Sequence, residues 1–271
     1  MIDLPYRAVN RVRRALYRRG ILRAKRLHRP VISVGNIAIG GAGKTPAVIA
    51  IGRFFLEHGF RVAVLTRGYG REGDATGVMD DLDARRWGDE PVVIKRRLAK
   101  ADVIIGSNRY ENAIDKDYDV FLLDDGFQHL QLARDADIVI DAPARWYREG
   151  RSALRDATFV IPRNLRTIVP PELARKRVFA FAGLANNEQF FATLETVGTR
   201  GFPDHHRYTA ADLDAIRQAA RDADADAIVT TEKDAVKIGA DDILTIGAEF
   251  VIDPGVLERL LQLVRQFGQT S

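Results

Sequence analysis

From residue 30 onward, short apolar runs alternate with stretches of helical periodicity. VISVG (31–35) reads as a strand. Thr45 to His58 carries the 3.6-residue pattern of a helix, ended by Gly59. VAVLT (62–66), DVIIG (102–106), DVFLLDD (119–125) and DIVIDA (137–142) are further strand candidates. Near-continuous apolar strands separated by helices predict a parallel sheet covered on both faces, an α/β fold. Residues 143–176 are irregular and rich in Arg and Pro, which places a lobe boundary there. A smaller α/β lobe is then predicted over 177–271. It has strands at VFAFAG (178–183) and AIVTT (227–231), with one or two more in ILTIGAEFVID. Its helices are predicted at Asn186 to Val197, at Thr209 to Arg221 with Thr209 as N-cap, and at Val256 to Phe267.

Charge changes the picture at the N-terminus. Residues 1–29 hold ten Lys or Arg against a single acid, Asp3, so the remainder of this +4 chain is mildly acidic. Pro5 suits a first helical turn, and Val9, Val12 and Leu16 recur at helical spacing. Arg11, Arg14 and Arg18 fall on other faces, and Gly20 ends the segment. Such a basic amphipathic helix can lie in a membrane interface, apolar side down, with its arginines at anionic headgroups. It can also bind nucleic acid or pack on its own domain. No nucleic-acid-reading motif occurs elsewhere, which favours the membrane. No apolar run reaches the roughly 18–20 residues that span a bilayer. The chain has no cysteine, which excludes disulfides, thiolate metal sites and cysteine nucleophiles.

The candidate chemistry starts at Gly35, where GNIAIGGAGKTPAVIA joins a strand to a helix. Ala38 to Thr45 fits P-loop spacing, with alanine where the first glycine usually stands. Gly40, Gly41, Ala42 and Gly43 would turn backbone N–H groups onto phosphate oxygens. Lys44 would reach the β- and γ-phosphates, and Thr45 would offer its hydroxyl to Mg²⁺. The strand FLLDD supplies Asp124 and Asp125 as metal carboxylates, followed by Gln128 and His129 just beyond the strand end. Arg67, after the second strand, is placed at the same sheet edge. GDEP (88–91) reads by itself as a solvated acidic turn. In FPDHH (202–206) a general base or its orienting partner is favoured over a metal site, because matched ligands are missing.

In order, VGN-x4-G-x-GKTP, LTRGYG, GDEP, LDDGFQH, FPDHH and TTEKDAVK resemble the tetraacyldisaccharide 4′-kinase family of lipid A biosynthesis, from about residue 30 to 238. The resemblance implies two α/β lobes with the site in the cleft between them. It also implies ATP and Mg²⁺ as cofactors and an acylated glucosamine disaccharide 1-phosphate as acceptor at its 4′-hydroxyl. A peripheral seat on the cytoplasmic face of the bacterial inner membrane, through the N-terminal helix, is implied as well. Carried over residue by residue, Asp89 and His205 form the catalytic dyad, with Lys44 assisting. Gln128 lies near the nucleotide, and Arg67, Arg109 and His129 bind phosphate or substrate. The family's longer run resembling LLPAGPLREP is here GRSALRDA (150–157), in which Asp156 is the nearest match to a metal-binding glutamate. Competing readings are a P-loop switch or metal-delivery GTPase, a kinase of another lipid or isoprenoid alcohol, and a pseudoenzyme. The guanine-reading N-K-x-D pattern is absent; the nearest segment is Thr231 to Asp234.

Overall fold

The computed structural model describes residues 3–38, 40–144 and 146–269, so Ile39 of the phosphate loop lies outside the described residues. Helix α1 (Asp3–Arg18) stops at Gly20, whose φ of 71° breaks the helix in a left-handed turn. An extended arm follows, pinned to the body by paired backbone bonds between Lys25 and the Gln131–Ala133 segment and by the buried Leu27. Then come β1 (Val31–Asn36), α2 (Lys44–Glu57), β2 (Val62–Thr66), β3 (Gly77–Val78), α3 (Ala84–Trp87) and α4 (Asp89–Arg97). β4 (Asp102–Ile105), β5 (Val120–Asp124) and β6 (Ala136–Asp141) lead to a 3₁₀ turn at Arg151–Asp156. After it run β7 (Phe159–Pro162), β8 (Leu165–Ile168), β9 (Val178–Ala182), α5 (Asn187–Phe191), β10 (Thr196–Gly201) and α6 (Ala210–Asp222). The chain ends with β11 (Ala227–Thr231), α7 (Glu232–Ala235), β12 (Ile243–Phe250) and α8 (Pro254–Gln269).

The first sheet has the order β3-β4-β2-β5-β1-β6-β7, parallel except for the short edge strand β3. Strands β1, β2 and β5 are buried at every position, as their unbroken apolar runs require. Helix α2 is apolar on several faces because it is covered on several sides. Ala47, Val48, Ile49, Ile51 and Phe55 pack between the sheet and a layer that includes α8. Gly52 permits the closest approach; a Cβ there would sit 2.5 Å from Leu98.

The second sheet has the order β10-β9-β11-β12-β8, with only β8 antiparallel. The sheets do not divide at residue 176. Strand β8 already belongs to the second sheet, pairing with β12. Helix α8 returns to the first lobe, where Val256, Leu260, Leu261 and Val264 join its core. The helix expected over 186–197 is a single turn, α5, and the chain then runs as β10. The segment 143–176, expected to be irregular, contains β7 and β8. The sequence ILTIGAEFVID forms one strand, and Thr209 caps α6 through a reciprocal bond pair with Asp212.

Candidate active site

Both sheets aim the carboxyl ends of their strands at one cleft. From the first sheet, β1 feeds the phosphate loop, β2 feeds Arg67, and β5 ends at Asp124. From the second, β10 feeds the Phe202–His206 segment and β11 feeds α7.

The phosphate loop enters α2 through Gly43, the N-cap, at φ 84°, and Gly40 stands at φ 114°, conformations that glycine adopts readily. Ala42 is buried and Gly41 is exposed beside it. The Lys44 Nζ lies 3.2 Å from Asp125 and donates to the Asn36 side-chain oxygen at 3.4 Å. Thr45 follows in the first turn of α2.

Asp124 and Asp125 differ sharply. Asp125 has a left-handed backbone, φ 49°, and faces Lys44 and the Arg148 guanidinium, the latter at 2.8 Å. Burial works to raise its carboxyl, but the two cations outweigh burial and hold it below the usual carboxylate range. Asp124 is buried, and burial together with the charges of Glu90 and Asp125 pushes it up to about 7 against the pull of Lys44. One Asp124 oxygen accepts a 3.3 Å bond from the Thr66 hydroxyl; the other is buried with no partner. Gln128 donates to the Asn36 carbonyl at 2.8 Å, and its own side-chain oxygen is likewise unpartnered.

Across the cleft, Gly88 starts α4 at φ 93°, packed so closely that a Cβ would meet the Tyr69 carbonyl at 2.7 Å. Asp89 is therefore the first residue of α4, and one of its oxygens accepts from the Glu90 amide at 3.0 Å. The other lies 3.0 Å from Nδ1 of His205, 116 residues away. The pair predicted as a dyad thus meets, and GDEP is no solvated turn, since Asp89 is only 4% exposed. Burial pushes Asp89 upward, but the His205 bond and the charges of Lys233 and Lys237 prevail and keep it below its ordinary value. The Asp89 bond raises His205, against burial and Lys233. His205, like Asp125, holds a left-handed backbone, at φ 58°. For a non-glycine residue that conformation costs about 1–3 kcal/mol and needs surrounding structure to enforce it. His206 turns away, stacks on Phe202 and bonds Asp212 at the start of α6.

Arg67, Arg109 and His129 gather into a basic cluster. Arg109 is buried and lies 3.4 Å from Nδ1 of His129. Burial and the charges of Arg109, Arg134, Arg13 and Arg67 push His129 down to about 4, so it is neutral near pH 7. Asp156 does not join the site. Its carboxylate binds Arg14 at 3.2 Å and Arg18 at 3.7 Å, which secures α1 to the 3₁₀ turn. Both Asp156 oxygens face arginines, which does not fit the metal role implied for it. Asn36, Thr66, Arg148 and Lys233 were not singled out in the sequence. The first two and Lys233 sit inside the motifs VGN, LTRGYG and TTEKDAVK; Arg148 carries no such signal.

Helix α1 turns its apolar residues outward, as a membrane-facing helix would, but Arg14, expected among the headgroup arginines, points into the body. Asn10 and Arg14 are buried, whereas Val9 and Val12 are 56% and 58% exposed. Arg14 lies 4.3 Å over the Phe127 ring and donates to the Phe127 carbonyl at 3.2 Å.

A family model described as tetraacyldisaccharide-1-P 4′-kinase matches residues 1–167 and 151–265. A tetraacyldisaccharide 4′-kinase of Anaeromyxobacter dehalogenans (strain 2CP-C) is 38% identical, over 88% of this chain and 80% of its own. The corresponding protein of Pelobacter propionicus is 35% identical, over 97% and 91%. The "apo" form of LpxK from Aquifex aeolicus, a crystal structure in complex with ATP, superposes with a TM-score of 0.77. It is 25% identical and covers 98% of this chain and 97% of that one. With two lobes, a phosphate loop and these relatives over most of its length, the chain belongs to the tetraacyldisaccharide-1-phosphate 4′-kinase family.

Proposed function

We propose that this chain transfers the γ-phosphoryl group of ATP to the 4′-hydroxyl of a tetraacylated glucosamine disaccharide 1-phosphate, with Asp89 as the base. The observation that carries this reading is the junction of Asp89 with His205 at the mouth of the cleft that also holds Lys44 and Asp124. Phosphoryl transfer asks a protein chiefly to position groups and neutralise charge. The loop amides and Lys44 bind the triphosphate, and Lys44 exchanges its contact with Asp125 for one with phosphate oxygens. Asp89 takes the proton of the sugar hydroxyl as the oxygen bonds to the γ-phosphorus and ADP departs. His205 orients the Asp89 carboxylate and stabilises the charge it holds before the proton arrives.

The residues fit Mg²⁺. An unpartnered buried oxygen on Asp124, its neighbour Asp125 and the Thr45 hydroxyl are hard donors. No group of three or more His, Cys, Asp or Glu suited to a metal occurs among the described residues. Mg²⁺ needs no such group, because it takes one or two carboxylates and completes its shell with phosphates and water. When bound, it would neutralise charge on the β- and γ-phosphates.

Arg67, Arg109 and neutral His129 suit an anionic group of the acceptor. The outward apolar residues Val9, Val12, Ile21 and Leu22 suit a peripheral seat on an anionic membrane surface, with the arginines around them at headgroups. No helix among the described residues is long and apolar enough to cross a membrane.

The test supplies purified protein with ATP, Mg²⁺ and detergent-dispersed disaccharide 1-phosphate lipid, and reads product mass. Wild type should yield a lipid heavier by one phosphate. Asp89→Asn should bind ATP normally and turn over at least about 100-fold more slowly. Near-normal turnover by that variant removes Asp89 as the base, and activity with GTP but not ATP removes the nucleotide assignment.

A further inference from the structure

Lys233 stands where the two lobes close on the dyad. It is the second residue of α7, two residues beyond the end of β11 of the second sheet. Its Nζ lies 3.2 Å from Asp204, 3.3 Å from Nε2 of His205, 3.5 Å from Glu90 and 4.0 Å from Asp89. Asp89 and Glu90 come from α4 in the first lobe; Asp204 and His205 come from the second. The side chain is 18% exposed, so these contacts are not those of a lysine swinging in solvent. Burial works against its charge, but Glu90, Asp89 and Asp204 outweigh burial and hold it protonated. The other groups facing this spot have partners of their own. Lys237 lies 2.9 Å from Asp234 and 3.9 Å from Asp89, and Glu232 binds Arg97 at 2.6 Å. The Tyr69 ring covers His205 at 5.0 Å.

An ammonium has three donors and no acceptor. Its approach to Nε2 of His205 is therefore a bond only if that nitrogen carries a lone pair. The proton of a neutral His205 must then sit on Nδ1, which donates to Asp89. The resulting chain runs from Lys233 to Nε2, and from Nδ1–H to the Asp89 carboxylate, and it leaves Asp89 ionised with lone pairs free for the hydroxyl proton. A His205 protonated on both nitrogens would set two donors against each other at 3.3 Å.

We propose that Lys233 is a positioning residue for the phosphoryl transfer. It selects the Nδ1–H tautomer of His205 and keeps Asp89 ionised, while clasping α4 to the second lobe. This rests on the reading of Asp89 as base. Lys233 acts through His205 and Asp89 and need not touch either substrate.

The experiment compares wild type, Lys233→Met, Lys233→Arg and Asp89→Asn in full pH profiles of kcat and kcat/KM, with binding of ATP measured separately. Removing a cation beside the dyad raises the pKa of Asp89, so the acid limb for Lys233→Met should move up by about one pH unit. Asp89 stays ionised near pH 7 after such a shift, so the fall in kcat expected there, about tenfold with ATP affinity unchanged, comes from the lost His205 tautomer. Lys233→Arg, which keeps the charge, should recover most of the limb position. Nitrogen-15 histidine shifts should report Nδ1–H for His205 in wild type and a mixture of tautomers in Lys233→Met. An acid limb at the wild-type position in Lys233→Met overturns the proposal. So does an Nε2–H tautomer in wild type. If Lys233→Met proves unstable, Lys233→Arg with a normal fold and a dyad tautomer unlike wild type decides against it equally. Retained turnover in Asp89→Asn, by contrast, removes the base assignment itself and is recognisable without any Lys233 variant.

Discussion

The guanidinium of Arg14 grips both carboxylate oxygens of Glu149, at 2.8 and 2.9 Å, with the two side chains 6% and 4% exposed. This pair decides the orientation of α1. A basic helix beside an acidic body docks by its charges when those charges find buried carboxylates, and its apolar stripe is then left outside. The same docking reaches the site. Asn10 donates to the Arg148 carbonyl at 3.3 Å, and Arg148 in turn holds Asp125.

Arg14→Ala should therefore cost much more than a surface salt bridge. Removing one member of a buried pair strands the other, at about 3–5 kcal/mol. Denaturant unfolding should show that loss, and limited proteolysis should cut near α1 sooner. An unfolding free energy within about 0.5 kcal/mol of wild type would mean the pair is open to water in solution.

The outward face of α1 gives the opposite expectation. Val9→Ser with Val12→Ser changes residues that are more than half exposed, so the thermal midpoint should stay put. Vesicle affinity, read by co-sedimentation with anionic lipid, should drop about 30-fold, as roughly 1 kcal/mol of interfacial burial is lost per side chain. Equal vesicle binding by both proteins would leave the exposed valines without a membrane role.

The sequence made the central strands legible for a physical reason. β1, β2 and β5 are covered on both faces, so their composition is apolar at every position. β10 alternates between half-buried and exposed, and its residues, TVGTRG, carry no apolar run, so the sequence does not mark it as a strand, and the helix expected over 186–197 overruns its first two residues. β7 and β8 are four residues each with exposed positions, too short to outweigh the Arg and Pro around them. The phosphate loop was readable because its chemistry is local. The dyad was not, because Asp89 and His205 are joined only by the fold; family resemblance, not periodicity, pointed to them. Asp156 shows the cost of transfer by position: a carboxylate matched by its place in a motif is committed here to Arg14 and Arg18.

Gly35 tests how tightly β1 packs against the loop after β5. A Cβ there would lie 2.5 Å from the Phe127 Cβ and 2.9 Å from its backbone nitrogen, so backbone has to move. Gly35→Ala should lose about 1–3 kcal/mol of stability. It should also weaken ATP binding about tenfold, because the displaced segment carries Asp125 and Gln128. Calorimetric titration with ATP and denaturant melts measure the two effects. Unchanged values for both would show that the loop is free to shift.

With Asp124 as the proposed Mg²⁺ carboxylate, binding of the ion should depend on pH. Held up at about 7, Asp124 keeps its proton through mildly acidic solution, and a metal ion must displace that proton to bind. The Mg²⁺ affinity of the ATP-loaded protein should therefore fall about tenfold for each pH unit below 7 and level off above it. The metal-free fold should respond in the opposite sense. Its Asp124 binds a proton more tightly folded than unfolded, against an ordinary value of 3.8, so this group's stabilisation is complete below about pH 4. It is lost as pH rises toward 7. Asp124→Asn should flatten both dependences, weakening Mg²⁺ at pH 8 while removing that part of the pH dependence of the thermal midpoint. Titrations of Mg²⁺ at fixed ATP between pH 5.5 and 8, paired with thermal melts of the metal-free protein, read the two trends. A Mg²⁺ affinity that is flat across that range in wild type would take Asp124 out of the metal shell.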